Sequence, residues 1–206
     1  MTAESRVGEE TAGSSSSSAD ESRLASFVSD SLGPLPPLAA LCGAGALHRG
    51  PWAGVGWGLL AMFFAAILPY LVTWKPRHPP AGRRPSRRAR GAYMGLAVVT
   101  AGVGIAVLAL VGAPSAVVKV TVTIMVCLAV VAVTNAVWRW SNHMAACAAG
   151  VAMLVVLFGW PGLISVVALP AVAWARLKLH RHSVIELLLG TLCGAVIAGP
   201  ILSALL

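Results

Sequence analysis

The sequence predicts an all-α membrane protein, a polytopic bundle of about six to seven transmembrane helices. Hydrophobic residues make up 58% of the 206 residues and charged residues only 11%, with a mean hydropathy of +0.83. A soluble domain of this length does not need so much apolar surface. The apolar runs are continuous rather than alternating, which favours membrane-spanning helices over a β-barrel.

Seven apolar runs, each bounded by Gly, Pro or charge, are the predicted spans: 34–48, 52–74, 91–112, 115–137, 143–159, 161–177 and 183–205. The second, third, fourth and seventh reach the roughly 20 residues that a crossing requires. The other three are shorter, so we expect them to tilt less or to borrow flanking residues. The links are short, which makes neighbouring helices antiparallel. Residues 31–206 are therefore expected to form a single membrane domain.

Residues 1–30 differ from the rest of the chain in composition. They hold six of the seven acidic residues and a run of serines. Such a segment cannot bury enough apolar surface to fold, so a disordered, Ser-rich acidic tail is predicted. It also lacks the basic start and apolar core of a signal peptide.

The basic residues gather in three links, 75–90, 138–142 and 178–182, which fall on one face of the membrane if the spans alternate. The positive-inside bias predicts that this face lies in the cytoplasm, at the plasma membrane. Because the bases flank apolar spans, the expected partners are the lipid bilayer and a phosphate-bearing ligand, and no nucleic acid.

Glu186 is the only acidic residue after Asp30. A carboxylate beside an apolar span is costly, so a specific role is expected. Residues four apart share a helix face, which places Glu186 within reach of His182. A carboxylate bonded to an imidazole fixes its tautomer and raises its basicity, as a nucleophile or base requires. One carboxylate cannot supply the several oxygens that a hard divalent cation needs, so no metal or other cofactor is expected.

Three segments carry the candidate chemistry. Lys75–Arg90 holds a guanidinium cluster suited to phosphate, although a topology-setting loop would have the same composition. Trp140-Ser-Asn-His143 opens the fifth span, where polar side chains and free backbone N–H groups form an anion site. Ala175-Arg176-x5-His182-x3-Glu186 follows the sixth span, where the alternative interpretation is a basic stop region.

Together these segments resemble the type-2 phosphatidic acid phosphatase superfamily, which includes lipid phosphatases, bacterial acid phosphatases and vanadium haloperoxidases. The family pattern is K-x6-R-P, then P-S-G-H, then S-R-x5-H-x3-D. Here Arg77-x6-Arg84-Pro85 corresponds to the first element, with Arg in place of Lys. The second keeps its Ser and His, and the third keeps its Arg, its His and their spacing, with Glu for Asp. The likeness covers about residues 24–206 and is greatest to a small actinobacterial membrane branch with relaxed motifs.

The resemblance implies a metal-independent hydrolase that removes phosphate from a lipid phosphate or a polyprenyl diphosphate, without a cofactor. His182 would attack phosphorus and form a phosphohistidine, Glu186 would orient it, and His143 would protonate the leaving oxygen and then activate water. Cationic and neutral donors would hold the phosphoryl oxygens in place of a magnesium ion. This implied phosphate-binding set is Lys75, Arg77, Arg84, Ser141, Asn142 and Arg176.

Departures from the pattern keep a second interpretation open. Ala175 lacks the family's hydroxyl, and Trp140 and Asn142 replace Pro and Gly. A catalytically degenerate relative would be a non-enzymatic membrane protein, binding anionic lipid or serving as a scaffold or transporter subunit, with the His–Glu pair as a proton relay. Membrane prenyltransferases and alcohol phosphatidyltransferases need aspartate-rich motifs, and residues 31–206 contain no aspartate. Vanadate haloperoxidases are not built from membrane spans like these.

Overall fold

The structure, a computed structural model, describes residues 20–72, 87–137 and 140–206. Every regular element within those ranges is a helix, so the predicted all-α bundle is confirmed. The helices are α1 (20–32), α2 (Leu35–Arg49), α3 (Pro51–Val72), α4 (Arg87–Leu110), α5 (Ser115–Val137), α6 (Asn142–Phe158), α7 (Trp160–Lys178) and α8 (Val184–Leu205).

Five of these helices are long and apolar enough to cross a membrane: α3, α5, α7, α8 and the Gly91–Leu110 part of α4. Helix α6, with 17 residues, is a shorter apolar helix, and α2 has 15 residues. Large apolar side chains such as Leu110, Val133 and Leu192 point outward, as expected for a surface that meets lipid. The chain therefore has the architecture of a multi-pass membrane protein.

Helix α1 corrects the predicted disordered tail, because residues 20–30 are helical. Ala25 and Ser29 are fully buried, and Gly33 continues the same four-residue spacing just beyond the helix. A methyl group added at Gly33 would lie 2.9 Å from Cδ2 of His143, so α1 ends against the start of α6. Small side chains allow this close approach, which a count of large apolar residues does not reveal. Residues 1–19 lie outside the described part of the chain.

Two spans depart from regular α-helix geometry. Helix α3 contains a π-helical turn at Phe63–Ile67, shortly before Pro69, whose missing N–H interrupts the regular bonding. Helix α7 begins as a 3-10 helix over Trp160–Val167, after Gly159 with a φ of 67°. The remainder of α7, Ala168–Lys178, is α-helical and carries Arg176 in its last turn.

Helices α6 and α8 run in the same direction and pack closely at Gly190 and Gly194 of α8. A Cβ at Gly190 would lie 2.7 Å from the Ser141 carbonyl oxygen, and one at Gly194 would meet the Ala145 carbonyl oxygen still more closely. The spacing Gly190-x3-Gly194 therefore lets the backbone of α8 approach that of α6. Helix α7 connects α6 to α8 and runs in the opposite direction. One end of the bundle therefore holds the start of α6, the end of α7 and the start of α8, and we call it the motif end.

A buried apolar cluster lies directly beneath the motif end. It joins Met144 and Cys147 of α6, Val172 of α7 and Leu187 of α8, and Leu32 of α1 packs against it. Each of the four positions on α6, α7 and α8 lies within four residues of a predicted site residue along the chain. The packing of this cluster therefore fixes the helix ends that carry the second and third motifs.

Candidate functional site

His182 and Glu186 form the pair that their spacing predicts. Nδ1 of His182 lies 3.1 Å from Oε2 of Glu186, and both side chains are about three-quarters buried, at 21% and 24% exposure. If Nδ1 carries the hydrogen and donates to the carboxylate, the lone pair of the ring lies on Nε2. That is the tautomer in which Nε2 can act as a nucleophile.

Glu186 also belongs to the N-terminal cap of α8. The Ser183 backbone N–H donates to Oε2 of Glu186 at 3.0 Å, and the Glu186 N–H donates to the Ser183 hydroxyl at 3.3 Å. This reciprocal arrangement is a capping box. It holds the carboxylate in place independently of His182, so the imidazole meets an acceptor that is already positioned.

Backbone hydrogen bonds to the carbonyl groups of Arg176 and Leu177 close the turn between α7 and α8. The Arg181 N–H donates to the Arg176 carbonyl at 3.2 Å, and the His180 N–H donates to the Leu177 carbonyl at 2.9 Å. This is a Schellman motif, and His180 adopts the left-handed conformation, with a φ of 49°, where glycine is usual. The tight turn keeps Arg176 and His182 at the same end of their two helices.

Arg176 is the buried cation of the motif end. Arg176 is only 4% exposed, and two of its guanidinium nitrogens, Nε and Nη2, have no hydrogen-bond partner among the described residues. Among the described residues, Asp30 interacts with it favourably and Arg181 unfavourably. A buried guanidinium with unsatisfied donors is costly, and an anionic ligand would satisfy it.

The second motif lies at the start of α6, beside the third. The Ser141 side chain is fully buried and caps α6 by accepting from the Met144 N–H at 3.4 Å. The Ser141 backbone N–H donates to the Glu186 carbonyl at 3.2 Å, which ties the starts of α6 and α8 together. Asn142 and His143 then form the first turn of α6, where the N-terminal end of the helix favours an anion.

Helix α1 brings two carboxylates to the motif end that the sequence did not single out. Asp30 Oδ1 lies 3.9 Å from Nε2 of His143, and Glu21 forms a 2.5 Å ion pair with Lys178. The sequence signal that could have found α1 is the four-residue spacing of Ala25, Ser29 and Gly33 before Pro34. The pairing of Asp30 with His143, far apart in the chain, requires the fold.

Buried polar atoms without partners concentrate at this end. In the described ranges they are Oγ of Ser29, Nε1 of Trp140, and Nε and Nη2 of Arg176. Ser29 precedes Asp30, and Trp140 precedes Ser141, so each residue is a site residue or its chain neighbour. All four atoms are donors, since a hydroxyl, an indole N–H and a guanidinium can each bond an oxyanion. An oxyanion is therefore the ligand that best suits this set.

Part of the predicted phosphate-binding set lies outside the described residues, namely Lys75, Arg77 and Arg84. Of the remaining predicted residues, Ser141, Asn142 and His143 share the start of α6, while Arg176, His182 and Glu186 flank the turn into α8. Within the described ranges, no group of three His, Cys, Asp or Glu side chains is arranged to hold a metal ion.

The chain matches no family model, no curated protein and no solved structure. Fold and site together define a class: a multi-pass helical membrane protein in which a His–carboxylate pair, a second histidine and a buried guanidinium meet at one end of the bundle. The resemblance to the phosphatase superfamily rests on those residues.

Proposed function

We propose that the protein is a metal-independent membrane phosphatase that hydrolyses a lipid phosphate or a prenyl diphosphate. The observation that carries the proposal is the buried Arg176, with two unpartnered guanidinium nitrogens, at the end of the bundle where His182 is bonded to Glu186. Arginine is permanently charged and offers bidentate donors, so it can stabilise a phosphoryl group without a metal ion.

The proposed reaction has two displacements. Nε2 of His182 attacks phosphorus, the bond to the leaving oxygen breaks, and His143 gives that oxygen a proton. Water, deprotonated by His143, then attacks the phosphohistidine and releases inorganic phosphate and neutral His182. Glu186 stabilises the imidazole as it becomes positively charged, and Arg176 stabilises the charge on the phosphoryl oxygens.

Asp30 adds a residue to this scheme. The Asp30 carboxylate lies 3.9 Å from Nε2 of His143, close enough for an ion pair when that imidazole carries a proton. A protonated His143 is the form needed to donate to the leaving oxygen. Asp30 would therefore act as a positioning residue, through His143 rather than on the substrate.

The test is phosphate release by purified protein in excess EDTA, across a panel of phosphatidate, lysophosphatidate and prenyl diphosphates. We compare His182→Ala with His180→Ala, a matched control that removes an exposed imidazole from the same turn. The wild type and His180→Ala should release phosphate, whereas His182→Ala should fall to background. Equal release by both variants, or none by the wild type on any lipid, would overturn the proposal.

A non-enzymatic role is the second candidate, and the capping box favours it. Because Glu186 caps α8, its presence has a structural reason that does not require catalysis. The basic end would then bind anionic lipid headgroups without hydrolysing them. This role predicts that the wild type binds anionic vesicles and that Arg176→Met weakens binding, with no phosphate released by either protein.

We also propose that the motif end faces the cytoplasm at the plasma membrane. The support is the concentration of Lys and Arg in the links at that end. A cysteine introduced at Leu24, exposed on α1, should react with an impermeant thiol reagent only after cells are lysed. Reaction in intact cells would place this end outside.

A further inference from the structure

An apolar cleft runs into the bundle between α5, α6 and α8. The space between its walls, including the open side, amounts to about 520 Å³. Its walls are hydrophobic along their whole length. They include Ile124, Leu128 and Val131 of α5, Ala145, Ala146, Ala149 and Met153 of α6, and Cys193, Gly194 and Ile197 of α8.

The cleft begins at the motif end and extends about one leaflet into the bundle. Asn142, the first residue of α6, lines one end, and Met153 lines the other. Eleven residues of helix separate them, a depth of about 16 Å at about 1.5 Å per residue. The hydrocarbon core of a bilayer is about 30 Å thick, so the cleft is as deep as one half of it.

The width of the cleft admits one hydrocarbon chain. Dividing its volume by its depth gives a mean cross-section of about 32 Å², or about 6 Å across. Carbon atoms in contact lie about 3.5–4.0 Å apart, so two chains side by side need about 8 Å. Because the volume includes the open side, this width is an upper bound.

Asn142 joins the cleft to the candidate site. Of the described residues that line the cleft, it alone has a side-chain amide, and it lies between Ser141, the cap of α6, and His143. A ligand tail in the cleft would therefore place its polar head at the N-terminal end of α6, where backbone N–H groups favour an anion.

We propose that this cleft binds the tail of a single-chain phosphorylated lipid, the class that contains prenyl phosphates and diphosphates, with its phosphate at Asn142. This inference rests on the proposed function for the identity of the head group, and it narrows the substrate class. A diacyl phosphatidate would have to leave one chain outside the cleft.

The experiment measures binding on the His182→Ala background, so that it does not depend on turnover. A prenyl diphosphate with a photoreactive group in its tail is crosslinked to the protein, and the adducts are mapped by mass spectrometry. We expect adducts on the cleft walls, near Cys127 and Cys193. Unlabelled prenyl diphosphate should compete at least about 10-fold better than either the prenyl alcohol or a diacyl phosphatidate.

Ala146→Phe, which fills the cleft from an exposed position, should reduce the adducts about 10-fold. Ala109→Phe, at an exposed position of α4 that does not line the cleft, should leave them unchanged. Adducts outside the cleft, equal competition by phosphatidate or the alcohol, or no effect of Ala146→Phe would overturn the inference. If adducts form in the cleft but the wild type hydrolyses no lipid, the proposed catalysis is refuted and the proposed binding of the tail is supported.

Discussion

The packing of α6 against α8 should control catalysis, because α6 carries His143 and α8 carries Glu186, the partner of His182. In Gly190→Ala the new methyl group would lie 2.7 Å from the Ser141 carbonyl oxygen, which belongs to the backbone and cannot turn aside. Ordinary contact begins at about 3.4 Å, so the two helices must separate by about 0.7 Å. Since a misplacement of about 1 Å can cost about 100-fold in rate, we expect turnover to fall about 25-fold.

The same substitution should lower the free energy of unfolding by about 1–3 kcal/mol, the usual cost of overpacking. Gly194→Ala, whose methyl group would meet the Ala145 carbonyl more closely, should lose more turnover and more stability than Gly190→Ala. Gly95→Ala is the control, because nothing lies within 4 Å of its added methyl group. Turnover and thermal unfolding in detergent are measured on all three variants. If Gly190→Ala is as stable and as active as the wild type, the close packing of α6 against α8 does not control catalysis.

Two further substitutions test the contacts around the site. Asp30→Asn should reduce turnover about 10-fold, since His143 loses its anionic partner. Glu21→Gln, which removes the Lys178 ion pair, should not reduce turnover, and equal losses would exclude a specific role for Asp30. Ser183→Ala should lower stability by about 1 kcal/mol through loss of a helix cap, measured by thermal unfolding. Ser203→Ala, at an exposed position of the same helix, should not lower stability. The same loss of stability in both variants would show that the Ser183 cap makes no specific contribution.

Continuous apolar runs predicted the spans well because their signal is local. The predicted span 115–137 coincides with α5, and the predicted 183–205 differs from α8 by one residue at its start. The pairing of His182 with Glu186 was also predictable, since the two residues are only four positions apart, although His182 precedes the first residue of α8. Neither case depends on contacts between distant parts of the chain.

The features that sequence reasoning missed depend on such contacts or on unusual packing. Helix α1 has a polar composition and is held by Ala25 and Ser29, whose small size permits burial at close range. The contact between Asp30 and His143 follows only once α1 lies against α6. The burial of Arg176, which is only 4% exposed, likewise depends on the fold and not on its neighbours in sequence.

We propose that His182 carries the phosphoryl group during turnover. The direct measurement is a rapid quench with a lipid substrate labelled in its transferred phosphate, followed by mapping of the labelled residue. In the presence of EDTA, we expect label on His182 that is stable to base and lost in acid, and no label in His182→Ala. Hydrolysis by the wild type with no label on His182, or label unchanged in His182→Ala, would contradict it.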